Sequence, residues 1–169
     1  MAQRRTREQA GLYLRAGSGA VASRLQSQGI DLDKWAPRPA EERPPEVPRD
    51  LTELRDRELM NLFQATGRWL RYLTLQLAAA EVDESYAERA LTRIEALKGY
   101  DFRKVDAKAR AHADHEFLAA KDAQVAAYGY KKVLAALVSN VDRDSFHLSR
   151  EISRRSARSD RDRRGERYE

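Results

Sequence analysis

The chain of 169 residues contains no cysteine, which excludes disulfides, thiolate nucleophiles and cysteine-based metal sites. Its three histidines are too few for a histidine-based metal cage. Only eight glycines and five prolines are present, and all five prolines fall within residues 31–50, so the rest of the chain is free to be helical. No apolar run approaches the roughly 20 residues that span a bilayer, and the arginine-rich start lacks the apolar centre of a secretion signal. A cytoplasmic location with no membrane partner is the expectation. Ser18 lies in AGSGA, which lacks the nucleophile-elbow pattern, and no G-x-x-x-x-G-K-[ST] loop occurs. Paired carboxylates such as Asp83 and Glu84 are expected only as exposed helix neighbours. These absences predict a protein that is not an enzyme and takes no cofactor.

Charge is what the sequence has in quantity. Charged residues make up 35% of the chain and apolar ones 41%, enough for a thin core under much surface. The net charge of +5 is unevenly placed. Residues 51–149 balance 15 basic against 15 acidic side chains, whereas residues 1–50 carry 9 against 7 and residues 150–169 carry 8 against 5. Positive ends on a neutral body suggest a polyanion, nucleic acid ahead of membrane, with solvated tails as the alternative.

Residues 1–30 form a basic arm, partly helical or disordered, with Arg4, Arg5, Arg7, Arg15 and Arg24 against the single acid Glu8. Residues 31–50 read as an extended proline-rich linker, with Trp35 at its start able to dock on the protein's own surface. Helix signals begin at Asp50, with Asp56 as a second start. Leu59, Phe63, Thr66, Leu70, Leu73, Leu77, Ala80, Glu84, Ala87, Leu91 and Ile94 then follow a four-and-three spacing for about five heptads, the pattern of coiled-coil-like packing. Lys98-Gly99 closes this helix. After a connector with a helical turn or two around 104–110, Asp114 is the N-cap of a second long helix. Its apolar positions are Phe117, Ala120, Ala127, Tyr130, Leu134, Leu137, Val138, Val141, Leu148 and Ile152.

Two stripes of similar length joined by a short connector predict an all-α fold, a long antiparallel helical hairpin over residues 51–158 with a charged disordered tail at 159–169. A turn near residue 107 places Glu84 opposite Gly129, where the hydroxyl of Tyr128 or Tyr130 meets the carboxylate, unless Glu84 sits at the edge and reaches water. Apolar side chains outside the stripe, including Trp69, Tyr72 and Val125, call for further cover, and a homo-oligomer supplies it. The HADHE run, residues 112–116, reads as a helix cap ahead of a metal site.

The basic C-terminus is the strongest functional signal. His147, Arg150, Arg154, Arg158 and Arg161 recur at three-or-four spacing and line one helical face beside Leu148 and Ile152, while Arg155, Arg163, Arg164 and Arg167 extend the cluster. Like charges on one face repel unless water or a polyanion separates them. Phosphate contact is the reading, backbone-directed and tolerant of sequence.

The order of features resembles the UvsY-type recombination mediators of tailed phages. The carrying residues are LTELRDRELMNLF (51–63), WLRYL from Trp69, AAAEVDESYAERAL (78–91) and LVSNVDRDSFHLSREISRR (137–155). The resemblance spans roughly residues 51–158. It implies a non-catalytic protein of the host cytoplasm that forms ring-like oligomers, binds single-stranded DNA and helps load a recombinase in place of a single-strand-binding protein. In that family, basic residues late in the first long helix serve DNA binding. The matching stretch here offers Arg89, Arg93 and Lys98 among several acids, which shifts the expectation toward the C-terminal arginines. A helical scaffold protein of a phage particle with nucleic-acid-binding tails, or a regulatory hairpin that takes a partner's helix, are the competing functions.

Overall fold

The computed structural model describes residues 16–100 and 103–165, and every regular element among them is a helix. These are α1 (Ala16–Ser27), the single turn α2 (Leu32–Trp35), α3 (Asp56–Lys98), α4 (Val105–Ala113) and α5 (His115–Gly165). The long helices α3 and α5, of 43 and 51 residues, are the two antiparallel arms of the expected hairpin. No helix of the described residues is long and apolar enough to cross a membrane.

Burial follows a seven-residue period on both arms. Leu59, Thr66, Leu73, Ala80 and Ala87 are buried on α3, and Ala120, Ala127, Leu134, Val141 and Leu148 on α5. A seven-residue repeat of buried positions is the pattern of coiled-coil-like packing. Thr66 fits this seam because its own hydroxyl is paired, donating to the Leu62 carbonyl at 2.9 Å. Tyr130 and Leu137, expected inside, are 55% and 41% exposed. Trp69, expected outside the stripe, is buried and meets Tyr72 edge to face.

The chain divides into two compact units, Met1–Trp35 with Leu75–Ala135 and Ala36–Thr74 with Ala136–Glu169. In the first, α3 stops at Gly99, whose φ of 62° is open to glycine. The Gly99 and Tyr100 amides then donate back to the carbonyls of Ala96 and Glu95, which completes the C-cap. Asp114 caps α5 as expected, one oxygen accepting from the amides of Glu116 at 2.9 Å and Phe117 at 3.3 Å. Its other oxygen accepts from the Tyr100 hydroxyl at 2.6 Å and Lys98 Nζ at 3.0 Å. The hydroxyl first, then Lys98, hold the Asp114 carboxyl well below the usual carboxylate range.

The N-terminal segment is docked in this unit from Gly17 onward. The Ser18 amide and hydroxyl each donate to a separate oxygen of the buried Asp83 at 2.8 Å. A Cβ on Gly17 would stand 2.9 Å from the Tyr86 Cβ, so this approach of α1 to α3 requires glycine. Glu84 is met by Lys131 rather than by a tyrosine or by Gly129, within one turn of the expected register. Both side chains are half-buried, and the carboxylate raises the Lys131 ammonium pKa above its ordinary value.

In the second unit the proline-rich segment lies against α3. Ala36 and Pro39 are buried, and Glu41 pairs with Arg68 at 3.4 Å. Trp35, expected to dock, is 72% exposed. Asp50 accepts from the amide and hydroxyl of Thr52 in a local turn, and α3 begins at Asp56, with Glu58 accepting from the Arg55 amide at 2.9 Å. At the far end α5 runs helically to Gly165, past residue 159 where a disordered tail was expected.

Candidate nucleic-acid interface

At 100° per residue, Arg143, His147, Arg150, Arg154, Arg158 and Arg161 fall within an arc of about 80° on α5, spread over about 27 Å of axis. All six are exposed. The buried Val141 and Leu148 project from the opposite side, so the arginines stand against the packed seam rather than beside it. This explains why the cationic run and the heptad repeat share one helix without conflict.

The expected site residues separate into distinct groups. Arg150, Arg158 and Arg161 are exposed, and among the described residues no carboxylate pairs with them. Arg154 is 57% exposed but donates to both oxygens of Glu151 at 2.7 and 2.8 Å. Arg155 turns inward. Its Nη1 donates to the Leu54 carbonyl at 2.8 Å and Asp56 Oδ1 at 2.7 Å, its Nη2 to the Leu51 carbonyl at 2.7 Å, and its Nε to Glu151 at 2.8 Å. It fastens the start of α3 to α5. Arg154 and then Arg155 lower the Glu151 carboxyl to about 2.

Arg89 and Arg93, on α3 in the other unit, are exposed and make no ion pair among the described residues. Lys98 is held 3.0 Å from each of Asp114 and Glu116, so its charge serves the turn of the hairpin. The two groups of basic residues thus belong to different units, and each supplies its own surface. The side chains of Arg163, Arg164 and Arg167, and the arginines at 4, 5, 7 and 15, lie outside the described residues.

Two residues of the C-terminal face escaped the sequence reading. Arg143 continues the basic arc seven residues before Arg150, a spacing legible in the sequence but masked by Asp142 and Asp144 on either side. Phe146 is 59% exposed, with the Arg150 guanidinium 5.6 Å from its ring centroid and His147 edge-on at 6.2 Å. A lone phenylalanine in an amphipathic run is ordinarily assigned to the core, and only its position on the helix shows otherwise. No family model, curated protein or solved structure matches this chain.

Proposed function

We propose that the chain is a non-enzymatic, sequence-tolerant binder of single-stranded DNA that acts, as a homo-oligomer, as a recombination mediator assisting recombinase loading. The observation that supports DNA binding is the exposed arginine face of α5, from Arg143 to Arg161, set opposite the buried seam. Five guanidiniums on one rigid rod repel one another in the free protein, and a phosphate chain relieves that repulsion while releasing its condensed counterions. The specific role of mediator, acting with a recombinase and a single-strand-binding protein, rests on the resemblance to the phage family. A row of arginines along one helical face suits backbone contact better than base-edge readout in a groove.

The test is binding to labelled single-stranded and duplex oligonucleotides over a salt series. The expected result is preference for the single strand and a steep linear loss of log affinity with log salt. Arg150→Ala, Arg154→Ala and Arg158→Ala together should flatten that slope by about two, since each phosphate contact on a single strand contributes about 0.7. Equal, feeble binding to both forms would overturn the reading and leave the scaffold function in its place.

A further inference from the structure

Phe146 sits where a core residue has no place. It projects from the outer side of α5, away from the fully buried Leu148, and keeps 59% of its surface in water. A ring left this exposed forgoes the stabilisation that burial of apolar surface would give it. The residues around it differ in kind on its two sides. One turn ahead lies Arg150, its guanidinium 5.6 Å from the ring centroid, and one turn behind lies Asp142. Arg143 and Ser149 flank it at three residues on either side. Phe146 also forms part of a shallow hollow of about 510 Å³ shared with Phe63, Ser139, Asp142 and Arg143.

From this arrangement we propose that Phe146 is a stacking platform for an unpaired base, and that the hollow beside it is a subsite for one nucleotide of a single strand. This deepens the DNA-binding reading above and rests on it. The aromatic face takes the base, Arg143 and Arg150 take the flanking phosphates, and Asp142 with the serine hydroxyls faces the polar base edge. Charge decides the occupant. An acidic or apolar peptide helix would satisfy the ring but would leave the arginine arc from Arg143 to Arg161 unused, whereas a phosphate chain engages both. A duplex cannot use the platform, because its bases are stacked on each other and only its backbone is offered. Phe146 therefore accounts for discrimination between single and double strands, which the arginines alone do not supply.

The experiment measures the affinity of the full chain and of Phe146→Ala for a 5′-labelled oligothymidine, for the same oligonucleotide carrying abasic sites, and for a duplex, at several salt concentrations. Removing one base–aromatic stack should weaken binding to the intact single strand about tenfold or more. The salt slope should stay unchanged, as should affinity for the abasic strand and the duplex. Phe146→Trp should restore the intact-strand affinity. An unchanged thermal midpoint for Phe146→Ala shows that the fold is not the cause. If Phe146→Ala binds every probe like the native chain while Arg150→Ala weakens all of them, the platform is wrong and the electrostatic interface stands. If it loses affinity equally for all three probes, the residue acts by positioning Arg150, and the platform is again wrong. A native chain that binds none of the probes would remove the proposed function and this subsite together.

Discussion

Arg154 and Arg155 are neighbours of the same type, yet a helix sends their side chains about 100° apart and so to different environments. Arg155 donates to the backbone carbonyls of Leu51 and Leu54 just ahead of α3, and its planar fork is what allows one side chain to reach them and Asp56 together. Arg155→Ala should lower the thermal midpoint by about 5 °C, and Arg155→Lys should not restore it, because an ammonium cannot span the same acceptors. Arg154→Ala should leave the midpoint within about 1 °C and weaken oligonucleotide binding instead. Calorimetry and binding on the same samples check this division, and a large loss of stability in the Arg154 variant would refute it. Gly17 shows the same dependence on surroundings: nothing in its own sequence context marks it, but Tyr86 across the contact leaves no room for a Cβ.

At the scale of the element, α5 joins two functions through Glu151. This carboxylate, lowered to about 2 by Arg154 and Arg155 from an ordinary value of 4.5, is charged in the folded protein under conditions where the unfolded chain would bind a proton. Its contribution is therefore complete above about pH 4.5 and is lost as pH falls toward about 2. Urea midpoints measured across that window should decline, and Glu151→Gln should flatten the decline. The same substitution removes the counter-charge from Arg154, so affinity for a single strand at neutral pH should rise a few-fold. A steeper acid decline in the Gln variant would show that Glu151 is not the titrating group. Asp114 responds in the same direction, its lowered carboxyl pKa tying the start of α5 to Lys98 and Tyr100.

Across the whole molecule, stability rests on two narrow heptad seams, because the chain has few large side chains to bury. Leu59 and Leu148 are among the largest fully enclosed side chains. Leu148→Ala should cost about 3 kcal/mol in urea denaturation, while Phe146→Ala, two residues away on the outer face, should stay within about 0.5 kcal/mol. Comparable losses from both would contradict the placement of the arginine face opposite the seam. Near the hairpin turn the seam is built from Ala80, Ala87, Ala120, Ala123 and Ala127, which lets the backbones approach closely but buries little surface per residue. Docking of α1 through Ser18 and Asp83 adds area there.

The hairpin, its stop at Gly99, the Asp114 cap and the seven-residue period were legible in the sequence, because each depends on neighbours three, four or seven positions away along one helix. The basic cluster was legible as a cluster for the same reason. Which basic side chains stay exposed and unpaired was not, since Lys98 is claimed by Asp114 and Glu116 beyond the turn, and Arg155, besides its near neighbour Glu151, by Asp56 and by carbonyls up to 104 residues distant. Lys131 as the partner of Glu84, Asp83 as the anchor of α1, and the proline segment lying against α3 are likewise contacts between remote parts of the chain. Periodicity fixes which face of a helix is buried. Only tertiary packing decides which charged side chains are paired internally and which, like Arg150, Arg158 and Arg161, stay exposed with no ion pair among the described residues.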